Sequence, residues 1–522
     1  MKKIVSIALL LLATTFTFAQ DISITQSEIF KDKKKNSYLT LTLEAEDGGI
    51  VTIRQYHSGF GLRLKGYYIQ YFDANLKLVK ELDYEVKNKT IRNAFLKDGQ
   101  LHLIEIEQEK KEDRIAINVS SSDLNNLSFT SRNLLTFTED NVKKYFGLML
   151  FGNGWNQADG DHMGDVVLSA NEKFFAINFD FKNKEKETHK VFVFNDNFDM
   201  VYEKLIVKDI KDKLFIYSDF DVDGEDGTIY FLGKAYENGK RKSKKDGKVN
   251  YHFELNKINA EGEKTVNFKN EENYIQSLSL VVNEDRLACV GFYGKKEAYK
   301  LNGVCIYDLN PKTLETNYSK FNEFSAEFMT DKYGNKEGKK KRKKEKGINN
   351  IDFKGVYLMA NNDILVNAEE FYITTHTTMG ANGSMSTITI YHYNDIMAMR
   401  LDANGNLKWA RNINKAQTGT VNSSFTTLPV GESTYFFINC SDKVKKLSAD
   451  RISFKQTSSK KSNLYAISID NDGNFDYKKL IDDKDSKVYY KVNDGVINMN
   501  NNTVFLLGER KKKGQILKLK VN

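Results

Sequence analysis

The chain has 522 residues, with 78 Lys and Arg against 70 Asp and Glu, a formal net charge of +8, and 40% hydrophobic residues. So mild an excess does not by itself define a nucleic-acid binder. Three cysteines, Cys289, Cys305 and Cys440, cannot form a disulfide scaffold. The first element is MKKIVSIALLLLATTFTFAQ, with Lys2 and Lys3 before an apolar run from Ile4 to Ala13 and a cleavage site at Thr17-Phe18-Ala19 before Gln20. This is the pattern of a secretory signal peptide over residues 1–19, and its apolar run is too short to span a bilayer. No later stretch is apolar for long enough to form a transmembrane segment, and no cysteine follows the cleavage site to carry a lipid. Without Lys2 and Lys3 the balance is 76 − 70, or +6. The expectation is an exported protein, periplasmic or secreted.

From residue 20 onward the chain repeats itself. Alternating β-branched and aromatic runs begin at Gly49, Gln100, Lys173, Thr228, Arg286, Asp363, Thr434 and Thr503, between 51 and 77 residues apart. Each follows a cluster of Gly, Asn, Asp or Glu suited to a tight turn. Most units then carry a second strand, a tight turn and a third, as in GYYIQYFDANLKLVKELDY from Gly66. Four antiparallel strands, A to D, repeated along 20–522 predict a single all-β domain, a β-propeller of eight blades. Seven blades is the alternative, because the Gln100 unit is weakly patterned. The last unit ends at Asn522 one strand short, and Asp21–Thr25 (DISIT) is expected to supply that strand and close the ring. Helical periodicity is confined to a short segment near Phe324–Asp331.

Chemical motifs are scarce. DFDVDGEDG from Asp219 opens like a calcium loop, but the twelfth position is Tyr230 where a bidentate Glu is required, so Asp223–Gly227 reads as the A–B turn of blade four. Asp159, Asp161, His162 and Asp165 form a compact cluster of metal-ligand types that a glycine-rich loop explains equally well. His102 and His252 fall inside strands, whereas His57, His162, His189, His376 and His392 fall in or beside loops. Cys289 and Cys305 lie on neighbouring strands, as buried thiols or as a cross-strand pair. No zinc helix, nucleophile elbow or Walker loop is present. No cofactor, metal or catalytic residue is assigned.

The segment Phe324–Gln417, with NNDILVNAEEFYITTHTT followed by YHYNDIMAMRLDANGNLKWARNINKAQ, resembles a group of exported, functionally uncharacterised β-propeller-like proteins of Bacteroidetes bacteria. The resemblance implies a fold and an exported location, and carries no activity. LDANGNLKW also resembles the repeat of quinone-dependent dehydrogenase propellers, with one residue fewer between Asp402 and Gly405. Trp409 is therefore read as packing between blades.

Strand alternation puts the A–B and C–D turns on one face and the B–C and D–A connections on the other. The second, decorated face is expected to carry the long loops, and rigidly held loops commonly carry function. These comprise the Trp155 loop, Gly239–Lys248, Asp442–Ser462, Glu509–Gly514, a Lys-rich loop at 332–348, and a hairpin at 371–394. Lys339, Lys340, Lys341, Arg342, Lys343 and Lys344 are candidate polyanion contacts, for an acidic glycan and not for nucleic acid, since no aromatics interleave to stack on bases. The hairpin FYITTHTTMGANGSMSTITIYHYN lacks Asp, Glu, Lys and Arg in a chain that is 28% charged. Charge-poor, Tyr- and Met-bearing surfaces suit interface cores, so Tyr372, His376, Met379, Met385, Tyr391, His392 and Trp155 are the candidate contacts for a periplasmic or cell-envelope partner. The favoured function is a non-catalytic binding or scaffold module. The alternative is a carbohydrate- or polymer-acting hydrolase or lyase, which requires acidic residues to converge in the channel.

Overall fold

A computed structural model describes residues 21–522 except 32–36, 59–62, 110–113, 139–141, 143–162, 182, 246–247, 284, 296–299, 380–384, 420–421, 449–450 and 457–461. Residues 1–19, Trp155, Asp159, Asp161 and His162 lie outside the described residues. Eight blades of antiparallel strands follow one another; strands A to D run in chain order in the first seven, and the eighth takes its outermost strand from the N-terminal segment. The A strands are Ser37–Glu44, Lys89–Lys97, Met163–Leu168, Phe215–Val222, Tyr274–Asn283, Ile351–Leu358, Thr426–Val430 and Val496–Asn498. Successive A strands meet one another from the first blade to the sixth, and those of blades seven, eight and one also meet in turn, so they surround a central channel. The fold is an eight-bladed β-propeller.

Its core is a ring of apolar layers, one between each pair of blades. Strand Arg286–Gly294 of blade five shows why the sequence yields them. Leu287, Cys289 and Tyr293 point into the layer shared with blade four, while Ala288, Val290 and Phe292 point into the layer shared with blade six. Side chains alternate across a strand, so a strand sandwiched between two blades must be apolar at every position. That requirement produced the apolar runs seen in the sequence. Trp409 lies between blades six and seven, where Gly473 of the neighbouring turn rests against its indole.

The ring closes as the sequence predicts. Ile22–Gln26 pairs antiparallel with Lys513–Val521, from Ile22↔Val521 to Gln26↔Leu517, and forms the D strand of blade eight. The acidic segment Asp223–Gly227 is the A–B turn of blade four: Asp223 accepts from the Glu225 N–H, Asp226 accepts from the Thr228 N–H, and Gly227 takes a φ of +72°. All three cysteines are buried free thiols.

Four expectations need correction. The Lys-rich segment is helical: α1 spans Ala326–Tyr333, capped by Ser325, and α2 spans Asn335–Lys343. Glu337 in the first turn and four cations in the last turn of α2 both suit the helix dipole, and Lys341 lies 4.3 Å from the centre of the Tyr333 ring. Glu509–Gly514 is not a long loop but a tight turn closed by the pair Arg510↔Lys513, with Lys511 at positive φ. Asp442–Ser462 contributes strand Ile452–Lys455, which adds in parallel to the outer edge of blade six. His189 sits within strand Glu187–Asn195 and is fully buried.

Candidate functional site

Two features stand out, one in the channel wall and one on the decorated face. Six A strands carry a β-bulge, and the extra residues are Thr40, Arg92, Gly164, Ser218, Gln276 and Lys354. Bulges re-aim side chains and cluster beside functional sites. Where the bulges of blades two, three and four adjoin, a cavity of about 340 Å³ is lined by Arg92, Asp165, Val166, Val167, Tyr217, Asp219 and Phe220. Asp165 is thus the one member of the sequence-predicted acidic cluster within the described residues, and it faces Arg92 electrostatically.

The electrostatics of this wall follow from enclosure. Burial pushes Tyr217 well up, with Asp165 and Asp219 adding to the effect. Burial also raises Asp219, against the N–H donors of Leu280 and Phe220. Asp221, two residues along the same strand, is pushed up to about 7 by burial and by Asp219 and Asp223, against the Val222 N–H. A carboxyl group tuned near neutrality can exchange protons under working conditions. The signal for these residues was present in DFDVD, whose period of two puts the carboxylates on one face of the strand and Phe220 and Val222 on the other.

Asp221 is held protonated in the fold to a higher pH than in the unfolded chain. Its contribution to stability is intact below the ordinary carboxylate value, declines as pH rises, and is fully lost above about 7. Asp221→Asn is expected to stabilise the protein near pH 8 by up to a few kcal/mol, and to change little near pH 4. Denaturant titrations at both pH values check this; equal effects at the two would refute it.

On the decorated face, strands Ile364–Met379 and Met385–Leu401 of blade six form the predicted hairpin. Strand A stops pairing at Ile351↔Glu370 and strand D at His392↔Thr418. Among the described residues, from Ile373↔Tyr391 to Met379↔Met385 the two arms pair as strands only with each other. Tyr372 stacks on His392 with ring centres 4.4 Å apart, and Thr374 Oγ1 lies 2.9 Å from His392 Nε2. Tyr391 is buried, whereas Tyr372 and His392 are half-buried. The side chains of His376, Met379 and Met385 lie outside those described.

The base of this uncharged arm is densely charged. Lys415 and Glu369, each 0% exposed, pair at 2.6 Å. Lys415 Nζ also donates to the Tyr393 carbonyl and to Gln417 Oε1, and Ser424 Oγ donates to Glu369 Oε2. Lys354, the bulge residue of this blade, bridges Asp352 at 2.8 Å and Glu369 at 3.4 Å. From α1, Lys332 reaches Glu370 and Asp395, both at 2.8 Å. Arg451 donates to the Lys332 carbonyl at 3.2 Å. The helices are thereby clamped to the foot of the hairpin, beside the exposed Lys339, Lys340, Arg342, Lys343 and Lys344 and the half-buried Lys341. Sequence reading named the hairpin and the lysines; it missed the buried network joining them.

No protein-family model matches the sequence, and no curated protein matches it. Among solved structures it is similar to the β-propeller domain of the trilobed protease from Pyrococcus furiosus, at 10% identity and a TM-score of 0.35, covering 87% of this chain and 98% of that one. It is also similar to the acylaminoacyl peptidase of Pyrococcus horikoshii, at 8% identity and a TM-score of 0.37, covering 93% of this chain and 60% of that one. A third similarity is to the polysaccharide lyase Uly1, at 9% identity and a TM-score of 0.33, covering 82% and 89%. At these identities and scores, nothing about activity passes from those proteins to this chain. No helix among the described residues is long and apolar enough to cross a membrane.

Proposed function

We propose that the chain is an exported binding or scaffold propeller that engages a periplasmic or cell-envelope protein through the hairpin of blade six. The observation that carries this reading is the length of hairpin that no neighbouring strand among the described residues supports. Seven residue pairs, from Ile373↔Tyr391 to Met379↔Met385, extend about 20 Å at a strand rise of about 3.4 Å per residue. An uncharged arm on a rigid, ion-paired foot is suited to recognition, since a firm scaffold lowers the ordering cost of binding. The signal peptide pattern and the resemblance to exported Bacteroidetes propellers support the compartment. The adjacent lysines of α2 add a salt-sensitive attraction for an acidic glycan or an acidic partner.

Deleting Thr375–Thr389 and closing the gap with Asn-Gly is expected to leave the propeller folded while abolishing capture of a periplasmic partner or dissociating an oligomer. Neutralising Lys339–Lys344 is expected to reduce heparin retention without affecting that capture. Unchanged partners and unchanged mass in solution after the deletion would sink the binding role of the hairpin. A second reading, hydrolysis or lysis of a polymer, is favoured by the convergence of Asp165, Asp219 and Tyr217 on one cavity, with Asp221 close by. It requires turnover of an acidic or neutral polysaccharide that survives the hairpin deletion and is lost in Asp219→Asn.

A further inference from the structure

The layer between blades three and four is apolar near the plain face but changes character at the decorated end. There, strand Phe174–Phe181 brings Asn178 and Asp180 against Glu187 and His189 of strand Glu187–Asn195. Asp180 and His189 are directly opposite in register. Glu187 is two residues from His189 and therefore on the same face. His189 is 0% exposed, and Asp180 and Glu187 are each 3% exposed. One ligand atom from each of Asp180, Glu187 and His189 lies within 4.8 Å of the others. The imidazole ring packs edge-on to Phe231 at 4.8 Å, so an apolar wall closes one side.

We infer that Asp180, Glu187 and His189 bind one divalent ion of the zinc class. Imidazole with carboxylates is a ligand set for zinc and its first-row neighbours, whereas calcium takes oxygen ligands alone. His189 Nε2 faces Glu187 Oε1 at 2.8 Å, while Nδ1 faces Asn178 Oδ1 at 3.1 Å. A metal-ligating histidine ordinarily donates its second ring N–H to an oxygen that fixes its tautomer, and Asn178 stands where that oxygen belongs. Asn178, itself fully buried, also shares a side-chain hydrogen bond with Tyr217, which holds its amide in place beside His189. Ligands about 2.0–2.2 Å from a common ion would draw in from positions within 4.8 Å of one another. The ion would bridge strands B and C at the rim of blade three, on rigid elements of the kind that make precise sites.

The test uses the full-length, tag-free protein, stripped with a chelator and titrated with Co2+ as a spectroscopic probe. The expected result is one Co2+ per chain, with visible ligand-field absorption displaced by Zn2+ and a higher melting temperature. His189→Asn should abolish the band. Asn178→Ala, which acts through the orientation of His189, should weaken Co2+ binding about 10–100-fold while keeping the stoichiometry. Asp180→Asn serves as a second ligand variant should His189→Asn fail to fold. Absence of stoichiometric binding, or binding unchanged in both His189→Asn and Asp180→Asn, would overturn the assignment and leave the cluster as a buried, hydrogen-bonded imidazole–carboxylate pair.

Discussion

Lys415→Met is expected to cost about 3–5 kcal/mol of stability, because it leaves a buried carboxylate without its principal counter-charge. Lys415 and Glu369 are both fully buried and 2.6 Å apart. Met fills the volume of the lysine stem but supplies no donor for Glu369, the Tyr393 carbonyl or Gln417 Oε1. Lys354, at 3.4 Å from Glu369, and the Ser424 hydroxyl soften the loss, which places the effect toward the lower end of that range. The pair Lys415→Met with Glu369→Leu should recover most of it, since an apolar replacement of both partners removes the desolvation penalty. Denaturant unfolding of the three variants measures this. A cost below about 1 kcal/mol for the single change would mean that the pair contributes no more than an exposed one. Hydrogen exchange should show the damage centred on the foot of the hairpin, at Glu369–Tyr372 and Tyr393–Asp395.

The blades were legible because geometry leaves the inner strands little choice. A strand such as Arg286–Gly294, packed on both faces, must be apolar throughout, and a tight turn must precede it. The closing strand was legible for the complementary reason: the last unit ends one strand short, and Ile22–Gln26 alternates. Segment 332–348 was misjudged because a run of lysines reads as solvated loop. Folding supplies what the run alone does not show, namely Glu337 at one end, cations at the other, and Tyr333 as a platform for Lys341.

The site was less legible than the fold, and the reason is separation along the chain. Arg92, Asp165 and Asp219 come from three blades, and a bulge leaves no signature in composition. Asp219 and Asp221 were noticed, but as part of a metal-loop pattern; the informative feature was their alternation with Phe220 and Val222. His189 was placed in or beside a loop, and the charged run Lys184, Glu185, Lys186 and Glu187 directly precedes it. Strand pairing begins at Glu187 itself, which carries both Glu187 and His189 into the core. The hairpin was visible as a gap in the charge pattern. The ion pairs at its foot were not, because Lys332, Lys354 and Lys415 each look like ordinary surface lysines until the blade is assembled.

Removing residues 21–31 is expected to be as damaging as breaking the buried pair, and in a different way. Ile22 is 6% exposed and belongs to the layer between blades seven and eight. Phe30 packs on Phe72 with ring centres 5.7 Å apart and occupies the space left by Gly514. Ser27 accepts from the Ile516 N–H and donates its own N–H to the Ile516 carbonyl, both at 2.9 Å. At roughly 1.5–3 kcal/mol for each large apolar side chain withdrawn from the core, the deletion should cost several kcal/mol. It also bares the edge of Lys513–Val521, whose Leu517, Leu519 and Val521 are fully buried, and an open apolar edge promotes aggregation. The control is a chain in which residues 21–31 are moved to the C-terminus through a short Asn-Gly turn. The Asn522 N–H already lies 3.1 Å from the Asp21 carbonyl, so a tight C–D turn like those of the other blades can join them. Thermal unfolding and light scattering should show the deletion melting early and aggregating, with the transplanted chain restored to the behaviour of the parent. If the deletion melts with the parent and stays monomeric, the ring does not depend on its N-terminal strand. If the transplant fails while the deletion is equally impaired, the segment acts through its connection to blade one rather than through closure of blade eight.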